Sequence, residues 1–435
     1  MRPFRSRSWP DDLLIVSLSA RGLHVKLATL RTWCSNNFIL VNLVKTIILI
    51  YGKIVSPLPI FRLGTTRISV KTEEKYVGVI LRTDTQNMFA DHYKAKARTA
   101  RQCGHRIWAI EDMTGRLRPK ELKQLYMARV DCHLIHGCEI PPDSEDMHVK
   151  HLCKVQINFL RQMLNIHRHS MIVPLFTETG IKPLQVCRLL LVLSHLMHWL
   201  GRSNDMYARA ALNSSIELAA NSKKSLPQEL PFQCPILVLM MFTTIGDIED
   251  YSKLVHKLML EWLQGEIDSS EKLYLLHDHR EPQKDKGPAQ VISCMRHYLM
   301  VKTQKHQEAI TSIKLSTHLL ALEILRYVNH GNQPVPRSDR LCRFCRKEVE
   351  SPEHALITYT SSDEVLQLRV IFLERLFTDL PDLQCQMAEL SITELLKAII
   401  YPRSSITLVA KFMYQVLEVF YAVPCTNLML EASPD

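Results

Sequence analysis

The stretch FADHYKAKARTARQCGHRIWAI, Phe89–Ile110, decides the class of fold. It is a long basic helix, and from about Asn87 onward the whole pattern is helical. RPKELKQLYMARVDCHLIHG follows, with Pro119 near a helix N1 position and Gly137 at its close. Leu152, Val155, Phe159 and Met163 recur at helical intervals, so a third helix covers 144–165. Three helices joined by short turns predict an antiparallel bundle. More helices are expected at roughly 182–200, 203–221, 249–264 and 306–328. EPQKDKGPAQ (Glu281–Gln290) and HGNQPVPRSD (His330–Asp339) are polar loops bearing Pro and Gly, and they are the candidate boundaries. No repeat of solenoid period is evident.

Upstream of the helices the signals are mixed. DLLIVSLS (Asp12–Ser19) reads as a strand. Leu23, Leu27, Leu30 and Cys34 then recur at helical spacing, in a one-faced helix that ends near Asn36–Asn37. FILVNLVKTIILIYG (Phe38–Gly52) holds two β-rich runs around a polar break, and FRLGTTRISV (Phe61–Val70) a Gly-Thr-Thr turn between short strands. KYVGVIL (Lys75–Leu81) is a further strand. The expected class is α+β, predominantly α, with a small antiparallel sheet and one covering helix first.

Composition bounds the function. The chain has 435 residues, 46% apolar and 23% charged, which is ordinary for a globular protein. Gly is sparse, and neither G-x-x-x-x-G-K-[ST] nor G-x-G-x-x-G occurs, so the usual phosphate cradles are missing. Residues 1–140 hold 23 Lys and Arg against 11 Asp and Glu, a net of +12, while the rest nets −2. A polyanion partner, RNA or DNA, explains that asymmetry; a basic face tuned for solubility is the plainer account. Lys94, Lys96, Arg98 and Arg101 lie on the long helix and could follow a phosphate backbone or form a solvated face. The twelve cysteines are scattered in apolar contexts, which points to a reducing, intracellular compartment, nucleus or cytoplasm, and not to secretion. No apolar run reaches membrane-spanning length; LLLVLSHLMHWL (Leu189–Leu200) reads as a buried helix.

The ordered series through residue 165 resembles the C-terminal part of a reverse transcriptase from a fungal-type non-LTR (LINE-type) retrotransposon. Trp9-Pro10-Asp11-Asp12 stands where that family has its aromatic-x-Asp-Asp motif. GLHVKLATLRTWCSNNF looks like the helix that ends in Trp-Cys before an Asn. NLVKT (Asn42–Thr46) matches Asn-x-x-Lys-Thr, and KYVGVIL matches the Tyr-Leu-Gly strand with Val77 for Leu. The basic helix and LYMARVDCHLIHGCE (Leu125–Glu139) are similar to the thumb. The resemblance implies a truncated palm over 1–86, a thumb-like helical bundle over 87–170, a helical region over 171–330, and a knuckle-like segment with C-terminal helices over 331–435.

In that family the paired aspartates help hold two Mg2+ ions for polymerisation, so the resemblance makes Asp11 and Asp12 a catalytic metal pair and puts Lys45 near the incoming triphosphate. Such a site also needs an aspartate from a strand well upstream. The segment before Asp11 is rich in arginine and poor in β-formers, and Pro10 removes a backbone donor beside the turn. The expectation is therefore a retrotransposon-derived fragment that binds nucleic acid and does not polymerise alone, with Asp11 and Asp12 as remnants. Two alternatives stand beside it: an RNA-directed DNA polymerase once its upstream half is present, and a co-opted helical interaction protein. Asp11 and Asp12 as a mere strand cap is the plain reading.

VPRSDRLCRFCRKEVESPEHAL (Val335–Leu356) resembles the family's zinc-knuckle tail. Cys342 and Cys345 form C-x2-C, and His354 follows at a spacing that can present two thiolates and an imidazole to one tetrahedral Zn2+. The family's fourth ligand, a cysteine, is here Tyr359. Water, His330 or Cys385 could complete the set; a helical hairpin with two ordinary reduced cysteines is the alternative. Asp131, His133, His136 and Cys138 also crowd together, as a metal site or as core and helix-end residues. HDHR (His277–Arg280) reads as a solvated loop.

Overall fold

The computed structural model describes residues 13–52, 54, 56–85, 87–140, 146–203, 206, 209–210, 213, 244–282, 288–327, 329–330 and 333–425. Helix α1 (Ala20–Asn36) starts where Ser19 accepts from the Gly22 N–H, and it stops where Asn37 Nδ2 reaches back to the Trp33 carbonyl at 2.7 Å. Its buried Leu27 joins Phe61, Leu63 and Ile68 in a small core of its own. Leu13–Ser17, expected as a strand, enters no ladder among the described residues, and Leu13, Leu14 and Val16 stand exposed. A strand needs a neighbour for its backbone groups, and none is offered there among the described residues.

Ahead of the long helix, the described strands form three short pairs and not one antiparallel sheet. β1 (Ile47–Leu49) runs parallel to β4 (Ser69–Lys71). β2 (Arg62–Leu63) turns through Gly64-Thr65 into antiparallel β3 (Thr66–Arg67). Lys75–Leu81 is a hairpin, β5 (Glu73–Tyr76) to β6 (Val79–Arg82), not a single strand. Val77 and Gly78 take φ of 46° and 85°, the two-residue turn whose twist suits a hairpin.

Helix dominates from there. α2 (Ala90–Thr114) buries Tyr93, Ala97, Ala100, Gly104 and Ile107 along one face. Arg82 ties its first turn to the hairpin through Asp91 and, at 2.8 Å, Asp84. α3 (Pro119–Leu125) has Pro at its first turn, continues as a π-helical turn (Tyr126–Asp131) and closes in α4 (Cys132–Leu134). α5 (Asp146–Leu164) lies against α2, with Phe159 seated at Gly104. α6 (Val173–Thr179) is buried throughout, and α7 (Leu184–Leu200) follows after Gly180. Buried Gln156 knits three of these helices together: it donates to Tyr126 Oη and the Lys182 carbonyl, and accepts from the Leu184 N–H at 2.9 Å. α8 (Ile245–Asp268) packs on α6 and α7.

The helix expected over 306–328 is two. α9 (Gln304–Lys314) ends where Ser316 turns to φ 50° and donates to the Lys272 carbonyl; α10 (Ala321–Ile324) starts afresh. The pair β7 (Asn329–His330) and β8 (Gln333–Pro334) follows. α11 (Asp363–Asp379), α12 (Pro381–Gln386) and α13 (Ile392–Ile400) lead to α14 (Ile406–Tyr421), which packs on α9 and α11. Phe372 and Phe412 stack there at 4.1 Å. One contiguous core runs from Tyr93 to Phe420. The architecture is α+β and predominantly α. The helix expected at 203–221 lies almost wholly outside the described residues. No single described helix is long and apolar enough to cross a membrane; the bent pair α6–α7 reaches that apolarity only together.

Candidate metal centre and nucleic-acid interface

The backbone from Leu341 to Val349 folds back on itself, with Cys342 N–H donating to the Glu348 carbonyl at 2.8 Å. Arg346 closes the turn at φ 54° and donates to the Cys342 carbonyl. Burial pushes the Cys342 thiol up to about 11, while the Cys345 and Phe344 amides donate to its sulfur and oppose that shift. His354 opens a π-helical turn, His354–Thr358. Its Nδ1 lies 2.8 Å from Glu348 Oε2 and 3.1 Å from Thr358 Oγ1. That leaves Nε2 toward the thiols, 3.5 Å from Cys345 Sγ. A carboxylate on the far nitrogen is the usual way a ligating imidazole is oriented.

The three ligand atoms of Cys342, Cys345 and His354 lie within 4.8 Å of one another, so this group can hold a metal ion. The Cys345 Sγ to His354 Nε2 separation of 3.5 Å is also that of a thiol–imidazole hydrogen bond. Tyr359 stands beside the thiols in place of a fourth ligand. Its ring is buried between Phe344 and Phe420, at 5.7 and 5.4 Å. Burial and the two neighbouring cysteines hold its hydroxyl above its ordinary pKa, so the phenol stays neutral. Cys385 is exposed on α12 and outside the cluster.

An ion pair anchors the turn. Glu350, fully buried, takes Arg343 Nη2 at 2.7 Å and the Ala321 N–H at 2.7 Å. Arg343 also donates to the carbonyls of Phe420, Val423 and Leu319, each at 2.7 Å. The knuckle is thereby fastened to the start of α10 and the end of α14.

The cations of α2 separate into two groups. Lys94, Arg98 and Arg101 are exposed and fall on one stripe, spanning about 10 Å at 1.5 Å per residue. Lys94 is 3.4 Å from Asp91, whereas Arg98 and Arg101 have no acidic partner among the described residues. Lys96 faces another way, half-buried, where burial and Lys75 lower its pKa. The same lysine depresses His133 and His136, after burial. This is a second electropositive spot beside the hairpin, and not a metal site: among the described residues only Cys342, Cys345 and His354 converge. Asp131 is committed elsewhere, accepting from Tyr126 Oη at 3.1 Å. Lys45 is exposed on a turn capped by Asn42. Asp11 and Asp12 lie outside the described residues.

HDHR is solvated only in part: Asp278 and Arg280 are exposed. His279 is buried, with Nε2 3.0 Å from Glu281 Oε2. Glu281 also accepts from His297, at Nδ1 and at the backbone N–H, both at 2.9 Å. Behind them Glu178 of α6 takes Arg296 Nε at 3.1 Å and Tyr298 Oη at 2.9 Å. Lys314, also buried, lies 4.5 Å over the Tyr298 ring and 3.5 Å from His279 Nδ1. Burial lowers Lys314 to about 8 and His279 to about 4. Burial pushes Glu178 up, but Arg296 and Lys314 outweigh it and hold the carboxyl below its ordinary range. This network joins Glu178 of α6 to partners more than a hundred residues on, and no local spacing announces it.

No protein-family model, no curated protein and no solved structure matches this chain.

Proposed function

We propose that this chain is a nucleic-acid-binding protein of the non-LTR reverse-transcriptase type, in which the helices α2–α5 act as a thumb and α2 grips a phosphate backbone. The observation that carries it is the stripe of Arg98 and Arg101, exposed and without an acidic partner among the described residues, beside Lys94 within a segment of net charge +12. Phosphate contacts are electrostatic and indifferent to sequence, and a row of unpaired guanidinium groups supplies them. The strand pairs that precede α2 take the place of the palm. The Cys342–Cys345–His354 centre holds Zn2+, which fixes the knuckle as a rigid turn; tetrahedral bonds of about 2.3 Å to sulfur and about 2.0–2.1 Å to nitrogen imply an edge of about 3.6 Å, and the 3.5 Å between Cys345 Sγ and His354 Nε2 supports that ion. The protein acts inside the cell, where its thiols stay reduced. No polymerase step is assigned to Asp11, Asp12 or Lys45.

The test is binding of a labelled RNA hairpin and a DNA duplex, by anisotropy, across a range of salt. Arg98→Glu with Arg101→Glu is expected to lower affinity for both and reduce the slope of log K against log salt by about 2. Unchanged affinity and slope would remove α2 from the interface, and salt-insensitive absence of binding in the parent protein would refute the reading.

A further inference from the structure

A cavity of about 830 Å³ opens between α3 with the turn that follows it, Glu281 and Pro282, Met295 to Met300, and Arg403. Sites for small organic ligands span about 300–1,000 Å³. Three cations line it: Lys120, Lys123 and Arg403. Lys123 Nζ is anchored, donating to the Thr179 carbonyl at 2.7 Å. Lys120 and Arg403 are exposed and carry no ion-pair partner among the described residues. Among the described residues the one acid in the lining, Glu281, is committed to His279 and His297. The described wall is therefore anion-seeking. Its apolar part includes three thioethers, Met127, Met295 and Met300, which conform to flat organic surfaces.

His297 adds a second observation. It lines the cavity and is 6% exposed, and its Nε2, itself closed to solvent, has no hydrogen-bond partner among the described residues. Nδ1 donates to the Glu281 carboxylate, so the ring cannot turn to satisfy Nε2 elsewhere. A buried polar atom left alone is costly. The Arg296–Glu178 and Tyr298–Glu178 bonds hold the segment carrying His297 against α6, so the ring is fixed before any ligand arrives.

We propose that this cavity binds a nucleoside phosphate, with the phosphate on Lys120, Lys123 and Arg403 and the nucleoside against the methionines, within reach of His297. A bare inorganic anion would fill only a small part of the volume and would leave the thioethers without a contact. The chemistry is shared by a free nucleotide and by the phosphorylated 5′ end of a strand. The inference does not rest on the α2 stripe, which lies on another helix.

The probes are N-methylanthraniloyl-ADP and a labelled four-nucleotide RNA bearing either a 5′ phosphate or a 5′ hydroxyl, titrated with the full chain. Saturable binding of the nucleotide, or of the 5′-phosphorylated RNA in preference to its hydroxyl form, is expected; which of the two binds identifies the source. Lys120→Ala with Arg403→Ala, both at the surface, should weaken binding by about tenfold or more by removing two charge-assisted contacts. Arg98→Glu with Arg101→Glu should leave it within about twofold, since those charges are screened beyond about 8–10 Å of salt solution. No saturable binding of any probe, equal binding of the two RNA forms without nucleotide binding, or an equal loss in both double variants would overturn the proposal. Failure of the α2 variant to affect long RNA would leave this result untouched, so the two readings fail separately.

Discussion

Arg343→Met is expected to destabilise the fold by about 3–5 kcal/mol, because it strands a buried carboxylate. Glu350 is 0% exposed, and Arg343 meets it through Nε at 3.0 Å and Nη2 at 2.7 Å. The remaining partners of Glu350 are the N–H groups of Ala321 and Arg343, at 2.7 and 2.8 Å. Two amides do not replace the water a charged carboxylate loses on burial, so Glu350 either stays charged at that cost or takes up a proton. The three carbonyls served by the guanidinium, of Leu319, Phe420 and Val423, lose their donor as well. Glu350→Gln alone strands the guanidinium in the same way. The double variant, Arg343→Met with Glu350→Gln, removes both charges; its single amide oxygen still accepts from one of the two N–H groups, which sit on different oxygens of Glu350. The pair should therefore couple by at least about 2 kcal/mol. Urea unfolding followed by far-ultraviolet circular dichroism reads all four proteins, with EDTA and with zinc, since Cys345 lies two residues from Arg343. A cost below about 1 kcal/mol for Arg343→Met, or single costs that simply add, would refute the reasoning.

Tyr359→Cys should supply a fourth thiolate and raise zinc affinity by about tenfold or more in chelator competition. The metal-free protein should meanwhile lose about 3 kcal/mol, because the ring between Phe344 and Phe420 is gone; unchanged affinity would mean the position does not face the ion. Gly180→Ala should destabilise by more than about 1 kcal/mol in the same unfolding assay. Its φ is +64°, and a Cβ would stand 2.9 Å from backbone atoms of Cys294; a neutral outcome would show that the α6–Cys294 contact is loose. Acid should unfold the chain early. Burial depresses His92 and His279 to about 4 and His318 to about 3, from 6.5. The unfolded chain therefore takes up protons first, and stability is complete above about pH 6.5 and is lost as pH falls toward 4. Three such groups give a slope approaching about 4 kcal/mol per pH unit near pH 5. Equal urea midpoints at pH 7 and pH 5, in EDTA, would contradict this.

The sequence carried the local features because each has a local cause. Helical apolar spacing gave α1 and α5, and Pro119 marked the first turn of α3. The C-x2-C turn and the following His354 were legible for the same reason: a knuckle is closed by residues a few positions apart. Lys94, Lys96, Arg98 and Arg101 were legible as one basic series on the helix, but the structure keeps only Lys94, Arg98 and Arg101 on an exposed stripe and half-buries Lys96.

The failures arose where the outcome depended on a distant neighbour. Asp12–Ser19 has strand composition, but a strand needs an edge to pair with, and sequence cannot say whether one is present. Lys75–Leu81 became a hairpin because its turn rests on His136, sixty residues on, which leaves no room for a side chain at Gly78. HDHR looks hydrophilic, and its burial is set by Glu178, Arg296 and Lys314 arriving from three other segments. Charge is a property of a residue, whereas the solvation that decides its chemistry belongs to the fold. Composition thus determined that this chain is helical and basic at its front, and tertiary packing alone decided which of its charged groups left water.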